Sequence, residues 1–460
     1  MNRLVFIQVD LDELLDIVHD AEPRETGAFF LLREGRGAHG RRLLAAEPLF
    51  PTGDAWEAQR EDQLRPSARW ISAAISKAIT EHAGLLFVHS HPDPGHPVAF
   101  SPTDRSSISS LAQTIVPMLE GPFAAAVVHP EGWAASVVEH SEFVPIEQIV
   151  SVGRTLHLLS PLQPLPRRRS TDLPGLDDRQ RDALGTVHDL LQNLEIAVVG
   201  VGGLGSPIAE QLVRMGTGTV TIVDSDVLDT PSNVRRVIGS TPSDLRCHTP
   251  LAKVDVVGRH LDQIGLSAPV RRVTGDVRHE RIFRNLLDTD VVICGTDNHG
   301  SRAILNELAS TYLLPVIDVG VQAGAKRNAD LAALVAEICV LTPVTPCLWC
   351  RERISADVIR AENLPNDQRE RLAREGYLVG GVGAPAPSVM ALTALGAGLA
   401  TCALLALLSS EGSVCPSGYW IDGLMGDSGE THPAEPTPAC RCRRHLGLGD
   451  DQPPPFLPED

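Results

Sequence analysis

The sequence predicts an α/β protein of two domains, an N-terminal α/β domain and a second domain with a mostly parallel sheet. From residue 195 onward, short apolar runs alternate with amphipathic helical patterns, as in consecutive βαβ units. Before residue 150, the strand-like runs GAFFLL and LLFVHSH flank the amphipathic stretch RWISAAISKAITEHA. A proline-rich basic stretch separates the two patterns, which is typical of a linker.

The domain boundaries follow from composition. We place the first domain at residues 1–150, a linker at 151–178, the second domain at 179–448 and a disordered tail at 449–460. The linker contains SPLQPLPRRRSTDLPGLDD, and the tail GDDQPPPFLPED is acidic and rich in proline. The stretch RQRDALGTVHDLLQNL, which follows the linker, is expected to form one helix.

Charge and cysteine content limit the class of protein. The 460 residues carry a formal net charge of -18, which argues against a nucleic-acid-binding surface. The first residues, MNRLVFIQVDLDELLDIV, hold acids inside an apolar stretch and do not resemble a signal peptide. We therefore expect a cytoplasmic enzyme, in which the nine cysteines serve metal binding or catalysis rather than disulfides.

One apolar stretch, residues 384–410, is long enough to span a bilayer. It is rich in small residues, begins with two prolines and has no flanking basic residues. The sequence favours a buried core helix over a membrane span.

A glycine-rich turn opens the second domain. Gly200, Gly202 and Gly205 fit the pattern G-x-G-x-x-G between a strand and a helix, which lets backbone N–H groups approach phosphates closely. Asp224 ends the next predicted strand, where an acid commonly holds a ribose hydroxyl. This Rossmann-like pattern alone fits an NAD-dependent dehydrogenase equally well.

The residues that follow favour ATP over NAD. Cations and polar groups recur after Asp224, and a further acid ends another strand. The group comprises Asp226, Ser232, Asn233, Arg236, Lys253, Asp297 and Asn298. Adenylation requires cations against a triphosphate and a metal-binding carboxylate near the α-phosphate, whereas hydride transfer requires neither.

In order and spacing, this series resembles the ThiF/MoeB family, which includes ubiquitin-activating enzymes, and the resemblance covers residues 179–445. It implies ATP and Mg²⁺ as cofactors, with Gly203 against the nucleotide and Asp224 on the ribose. It also implies that Asn233, Arg236 and Lys253 contact the phosphates. Asp297 would organise Mg²⁺ and the attacking carboxylate, which makes Arg236 and Asp297 the candidate catalytic residues of this domain.

Four cysteines suggest a structural metal. Cys347 and Cys350 form a C-x-x-C pair, and Cys440 and Cys442 follow about ninety residues later. Four thiolates suit a closed tetrahedral Zn²⁺ site, although buried free cysteines and a redox pair are alternatives. Similar families carry a second C-x-x-C pair, where this sequence has C-x-C.

A second metal site is expected in the first domain. His89 and His91 occupy alternate strand positions, so their side chains point the same way and can share one Zn²⁺. Asp104, at an expected helix start, can supply a third ligand and leave a fourth position open for water, as in catalytic zinc sites. The alternative for the histidines alone is a polar strand end.

The stretch FVHSHPDPGHPVAFSPTD resembles the JAMM/MPN (JAB) metalloprotease motif H-x-H-P…S-x-x-D, with a loop two residues longer than the common form. The resemblance covers about residues 1–145. It implies that Glu25 accepts the proton of the attacking water and passes it to the leaving amine. It also implies that Ser101 stabilises the oxyanion.

Together, the two resemblances imply a bifunctional enzyme of a bacterial ubiquitin-like system. One domain would adenylate the C-terminal glycine of a ubiquitin-like protein, and the other would process its precursor or remove it from targets. The alternative is activation of a sulfur-carrier protein for cofactor or metabolite synthesis. Expected partners are the small protein and either a conjugating enzyme or a sulfur donor, with no nucleic acid and no membrane. Family resemblance further suggests a homodimer.

Cysteine placement bears on which of these two functions applies. Conjugating relatives carry a nucleophilic cysteine in the crossover segment, which is residues 352–384 here and contains none. Cys294, Cys339 and Cys402 are expected to pack in the core. Cys247, in a polar loop, is the least implausible nucleophile.

Overall fold

The computed structural model describes most of the chain, in two units. The described residues are 1–93, 95, 98–139, 142–159, 174–266, 269–325, 331–374, 388–409, 417–431 and 435–458. Unit 1 comprises residues 1–163, 311–313 and 445–453, and unit 2 comprises residues 164–310, 314–444 and 454–460.

Unit 1 is an α/β structure around a nine-stranded mixed sheet with the order β11-β10-β1-β3-β2-β6-β7-β8-β9. The strands, including the separate β4–β5 hairpin, are β1 (Arg3–Ile7), β2 (Gly27–Arg36), β3 (Arg41–Leu49), β4 (Trp56–Gln59), β5 (Leu64–Pro66), β6 (Gly84–Ser90), β7 (Phe123–His129), β8 (Gly132–Glu139), β9 (Glu142–Pro145), β10 (Gln148–Val152) and β11 (Leu156–Leu158). The helices are α1 (Gln8–Ala21), α2 (Ala68–Thr80) and α3 (Pro102–Ile115).

Both faces of this sheet are buried, because its central strands are apolar at consecutive positions. On β2, Phe30 and Leu32 join one cluster with Leu11 and Leu14 of α1. The intervening residues of β2 join a second cluster with α2 and α3, which contains Trp70. Neighbouring side chains along a strand point to opposite faces of the sheet, so a continuous apolar run such as AFFLL contributes to the clusters on both faces.

Unit 2 contains an eight-stranded sheet with the order β16-β13-β12-β17-β18-β19-β20-β21 and a small β14–β15 ladder. The strands are β12 (Glu195–Val199), β13 (Thr219–Asp224), β14 (Val227–Leu228), β15 (Leu251–Ala252), β16 (Val270–Thr274), β17 (Val291–Cys294), β18 (Val316–Ala325), β19 (Leu331–Leu341), β20 (Gly418–Asp422) and β21 (Ser428–Glu430). The helices are α4 (Asp178–Leu184), α5 (Thr186–Leu191), α6 (Gly205–Arg214), α7 (Lys253–Ile264), α8 (Glu280–Phe283), α9 (His299–Thr311), α10 (Ala356–Glu362), α11 (Asn366–Arg374), α12 (Met390–Leu408) and α13 (Arg441–Arg444).

Strands β16, β13, β12, β17 and β18 pair in parallel, and β18 to β21 pair antiparallel. The predicted parallel Rossmann-like sheet is therefore present, with an antiparallel extension. In such a sheet the order reverses on either side of the first strand, here β12, and ligands bind beyond the carboxyl ends of the strands at that point.

The apolar stretch forms α12, the one helix in the described residues that is long and apolar enough to cross a membrane, with a mean hydropathy of 2.1. It packs against β18, β19 and α6. Its buried residues include Gly396 and Ala400, which allow close approach to the sheet. This packing agrees with the core-helix alternative.

The structure differs from the sequence-based boundaries in three places. β10 and β11 extend the first sheet to Leu158, while residues 160–173 of the expected linker lie outside the described residues. The single helix expected over residues 179–194 is two helices, since Gly185 adopts φ 54° and interrupts it. The expected disordered tail has partners: Asp450 accepts a hydrogen bond from the Arg36 N–H, and the Phe456 ring lies 5.0 Å from that of Phe283.

Candidate functional site

The glycine turn leaves β12 and enters α6. Gly200 adopts φ 84°, in the left-handed region, and a Cβ at Gly205 would overlap the Gly200 carbonyl oxygen. Among the described residues, none lies within 4 Å of the place where a Cβ at Gly202 would stand. The turn therefore presents bare backbone at the N-terminus of a ten-residue helix, an arrangement suited to phosphate.

The two acids after β13 are joined to this turn by hydrogen bonds. Asp224 accepts from the Val201 N–H and the Asp226 N–H, both at 2.8 Å. Burial raises the pKa of Asp224, and the Lys253 ammonium opposes that rise. Lys253, only 9% exposed, donates to the Asp226 carboxylate at 2.6 Å. The sequence-predicted Asp224, Asp226 and Lys253 thus form one connected group.

Arg236 approaches the turn from another direction. Its Cβ would lie 3.2 Å from a Cβ at Gly203, and its guanidinium donates to the Asn233 side-chain oxygen at 3.0 Å. Asn233 is buried, which fixes the arginine beside the glycine turn. Ser232 is exposed one residue earlier, 3.3 Å from the Thr230 hydroxyl. Arg236 therefore lies beside the glycine turn, and Asn233 holds it there; their expected contacts with the phosphates stay a prediction.

Asp297 and Asn298 lie in the turn between β17 and α9. Asp297 is exposed, and the Asn298 side-chain oxygen accepts from the Ser301 N–H at 2.7 Å, which caps the helix. Because β17 pairs in parallel with β12, this turn and the glycine turn stand at the same edge of the sheet. The edge thus combines bare backbone N–H groups, two cations and carboxylates, which together suit ATP and Mg²⁺.

Two residues at this edge were missed by the sequence analysis. The Glu362 carboxylate accepts from the His299 and Gly300 N–H groups, and the Ser388 hydroxyl lies 3.6 Å from the place of a Cβ at Gly203. Glu362 lies inside the crossover segment and Ser388 lies four residues beyond its end, and neither a motif nor a periodic pattern distinguishes either residue in the sequence.

The four predicted cysteine ligands converge. Cys347 Sγ lies 3.7 Å from Cys350 Sγ and 3.6 Å from Cys440 Sγ, and Cys350 Sγ lies 3.8 Å from Cys442 Sγ. Sulfurs about 2.3 Å from one tetrahedral Zn²⁺ would stand about 3.8 Å apart. Hydrogen bonding from Cys442 lowers the pKa of Cys347 to about 5, against the effect of burial. The C-x-C pair therefore completes a four-thiolate group that fits Zn²⁺.

We expect Cys442→Ser to remove one zinc per chain and to lower Tm by at least about 5 °C, because the free energy of metal binding contributes to folding. Metal content by mass spectrometry and thermal unfolding measure the two effects. Cys402→Ser, at an exposed cysteine of α12, is the control and should change neither quantity. Unchanged zinc content in Cys442→Ser would rule out this ligand set.

The remaining cysteines differ in exposure. Cys294 and Cys339 are buried as expected, and burial raises the pKa of each to about 12. Cys247 is exposed as expected, but Cys402 of α12 is exposed as well. The prediction that Cys402 packs in the core is wrong. Cys415 lies outside the described residues.

Alkylation of the native protein at pH 8 should therefore modify Cys247 and Cys402 and spare Cys294 and Cys339. A pKa of about 12 leaves roughly a thousandth of the thiolate of an ordinary cysteine, and burial blocks access further. Peptide mass spectrometry after iodoacetamide measures the difference, with urea-unfolded protein as the control in which all four react. Native labelling of Cys294 at the rate of Cys247 would contradict the buried placement.

The predicted metal ligands of unit 1 also converge. His89 Nε2 lies 3.3 Å from Asp104 Oδ1, and His91 Nε2 lies 3.2 Å from Asp104 Oδ2. His89 is 2% exposed, and neither of its ring nitrogens has a well-aligned hydrogen bond to any described residue. Burial would raise the pKa of Asp104, but His89 and His91 hold it well below its usual range. Two imidazoles and a carboxylate with unused ligand atoms fit a three-ligand Zn²⁺ site.

Strand register brings Glu25 to this cluster. β2 pairs antiparallel with β6 so that Gly27 faces His89, which places the residue two before Gly27 opposite the residue two after His89. Glu25 Oε1 accordingly lies 4.0 Å from His91 Nε2. Burial raises the pKa of Glu25 to about 7, partly offset by His91. A carboxylate with this pKa is suited to general base catalysis near neutral pH.

Ser101 and Asp104 form a reciprocal capping box at the start of α3. Asp104 N–H donates to Ser101 Oγ at 3.1 Å, and Ser101 N–H donates to Asp104 Oδ2 at 2.7 Å. The cap fixes the carboxylate beside both histidines. The Ser101 oxygen accepts in this cap, which leaves its hydroxyl hydrogen available to a substrate oxygen.

Curated adenylyltransferases are similar to part of this chain. The sulfur carrier protein ThiS adenylyltransferase of Bacillus subtilis is 29% identical over 160 residues, 35% of this chain and 44% of that protein. The adenylyltransferase and sulfurtransferase UBA4 of Meyerozyma guilliermondii is 33% identical over 129 residues, 28% of this chain and 29% of that protein. The chain thus spans less than half the length of these two relatives.

A crystal structure of E. coli MccB with MccA-N7isoASN has a TM-score of 0.44 and 15% identity, over 59% of this chain and 75% of that chain, a likeness too distant to bear on function. The family match is broader. Residues 179–442, more than half of the chain, match the ThiF family, and they contain every candidate residue of the nucleotide edge and all four clustered cysteines. The chain belongs to the ThiF family.

Proposed function

We propose that unit 2 uses ATP and Mg²⁺ to adenylate the C-terminal carboxylate of a small carrier protein. The observation that carries this proposal is the meeting of the glycine turn, Lys253, Arg236 and Asp297 at one edge of the parallel sheet. Two cations beside backbone N–H groups favour a polyphosphate. An exposed carboxylate in the same place is suited to Mg²⁺.

The residues have separable tasks in this reaction. A carboxylate oxygen of the carrier attacks the α-phosphorus, a P–O bond to the β-phosphate breaks, and pyrophosphate leaves with the electron pair. Lys253 and Arg236 would balance the charge that develops on the phosphates. Asp224, held by two backbone N–H groups, would accept from the ribose hydroxyls. Asp297 would bind the Mg²⁺ ion that accompanies ATP.

Among carriers, we favour a sulfur-carrier protein over a conjugated ubiquitin-like modifier, which reverses the preference drawn from sequence. The curated relatives include adenylyltransferases named for the sulfur carrier ThiS and for combined sulfurtransferase activity. The crossover segment also contains no cysteine for a thioester. An acceptor thiol or sulfur donor would then take the acyl group from the adenylate. A homodimer and a separate donor protein belong to the same proposal.

For unit 1, we propose a zinc-dependent hydrolase that cuts the chain after the carrier's terminal glycine. The specific observation is the His89, His91 and Asp104 cluster with Glu25 beside it. Bound Zn²⁺ would supply Lewis acidity toward water and the scissile carbonyl. Glu25 accepts the proton of the attacking water and gives it to the leaving nitrogen. The product carboxylate is the group that unit 2 activates, so a capped carrier suits both units.

The test of unit 2 is ATP–pyrophosphate exchange with small proteins that end in a free glycine carboxylate, beginning with ThiS from Bacillus subtilis. Exchange that depends on the carrier, with an intact-mass gain of one AMP, would support adenylation. An additional covalent carrier–enzyme species that thiols release would favour the ubiquitin-like alternative. No exchange with any carrier by folded, zinc-loaded protein would overturn the proposal.

A further inference from the structure

The crossover segment is fastened to the turn that carries Asp297. Glu362, the last residue of α10, accepts from the His299 N–H through Oε1 at 2.9 Å and from the Gly300 N–H through Oε2 at 2.8 Å. Ser355, just before α10, donates its N–H to His299 Nδ1 at 3.1 Å. Two independent contacts from one segment thus hold the first two residues of α9.

These contacts satisfy groups that a helix cannot satisfy itself. The first N–H groups of an α-helix have no partner within it and carry partial positive charge. Asn298 caps the Ser301 N–H locally, whereas a carboxylate from a distant part of the chain takes the N–H groups of His299 and Gly300. Hydrogen bonds to an ionised acceptor are roughly twice as strong as neutral ones, so this clamp fixes the turn firmly.

Glu362 is itself held in place. Arg369 donates to its carbonyl oxygen at 3.1 Å, and the neighbouring Asn363 accepts from Arg278 at 3.1 Å. Arg278 forms an ion pair with Asp276, at 2.7 Å, in the turn after β16. The backbone at Glu362 and the neighbouring Asn363 side chain are therefore both held, and Asn363 is linked to the turn after β16.

We propose that Glu362 is a positioning residue for adenylation: it sets the place of Asp297, two residues before His299, through the N-terminus of α9. The inference rests on the proposed adenylation activity and names a residue that acts through Asp297 without touching ATP. The described chain resumes at Ser388, whose hydroxyl lies 3.6 Å from the place of a Cβ at Gly203.

Three variants of the full chain test this role. Glu362→Gln keeps one acceptor oxygen but loses the charge, and Glu362→Ala loses both. Asp357→Asn, at an exposed carboxylate of α10 that pairs only with Arg360 among the described residues, is the matched control. Carrier-dependent ATP–pyrophosphate exchange is measured with ThiS or whichever carrier supports exchange in the wild type. Tm and the number of active sites, from burst amplitude, are measured alongside.

We expect kcat to fall about tenfold in Glu362→Gln and about a hundredfold in Glu362→Ala, since displacement of a reacting group by about 1 Å costs that much. The KM for ATP should change less than about threefold, the Mg²⁺ concentration for half-maximal rate should rise, and Asp357→Asn should match the wild type. Wild-type kcat per active site in both Glu362 variants would overturn the inference and leave the adenylation proposal standing. Loss explained wholly by fewer active sites would overturn it too. Absence of exchange in the wild type would overturn both proposals.

Discussion

Asp297→Ala is expected to lower carrier-dependent pyrophosphate exchange by about 10²–10³-fold, the effect typical of removing one electrostatic group from a transition state. The residue is exposed in the turn between β17 and α9, so its loss leaves the core intact. Residues 295–298 of that turn include no carboxylate besides Asp297, so Mg²⁺ and the attacking carboxylate would lose their common contact. Exchange rates and thermal unfolding measured on the same preparation separate chemistry from stability.

The matched control lies in unit 1. His91→Ala removes a candidate ligand of the hydrolase cluster and should leave exchange at the wild-type rate. A pyrophosphate-exchange rate of Asp297→Ala within about threefold of the wild-type rate would contradict a role for Asp297 in the reaction. Loss of exchange in folded His91→Ala would instead show that the division of labour between the units is wrong.

The second large effect concerns hydrolysis. Glu25→Gln should lower zinc-dependent cleavage of a carrier with a peptide fused after its terminal glycine by about 10²–10⁴-fold, because the amide cannot accept the water proton. In the wild type, cleavage should rise with pH as Glu25 ionises and be lost below its pKa. Burial raises the pKa of Glu25 to about 7 without metal. A bound cation lowers this pKa, so the acidic limb of the pH–rate profile moves to lower pH. Rates from pH 4 to 8 measure both effects.

Glu61→Gln, at an exposed carboxylate of the same unit, is the control. It should keep the wild-type cleavage rate and the wild-type pH dependence of that rate. Cleavage by Glu25→Gln at more than about a tenth of the wild-type rate would contradict the base role. Zinc-independent cleavage by the wild type would contradict the metal site as well.

Much of the nucleotide edge could be predicted from sequence, because local chemistry and chain order determine it. The glycine pattern fixes a turn between β12 and α6, and Asp224 ends the next strand whatever the detailed packing. The alternation of side chains along a strand was enough to predict that His89 and His91 point the same way. The position of Glu25 depends on strand register, and its prediction came from the family resemblance. The residues predicted correctly lie close to one another in the sequence or belong to a recognisable motif.

The missed features depend on tertiary structure. Glu362 acts on N–H groups about sixty residues away, and no periodicity marks it. Cys402 lies in an apolar helix, yet which face meets the sheet is set by packing on β18, β19 and α6. The prolines and acids of the tail predict disorder, although Asp450 and Phe456 each contact a residue far away in the sequence. Composition reports average behaviour and does not reveal such individual contacts.

The capping box at α3 has an evolutionary consequence. Asp104 serves both as a candidate ligand and as the residue that closes the helix start with Ser101, so selection on stability alone would preserve it. Loss of the cap costs about 1 kcal/mol, enough to be selected against in a marginally stable protein. A descendant without the proposed hydrolysis would therefore keep Ser101 and Asp104, whereas His91 and Glu25 would be free to change. Glu25 and the half-buried His91 are accordingly the better markers of the proposed hydrolase activity.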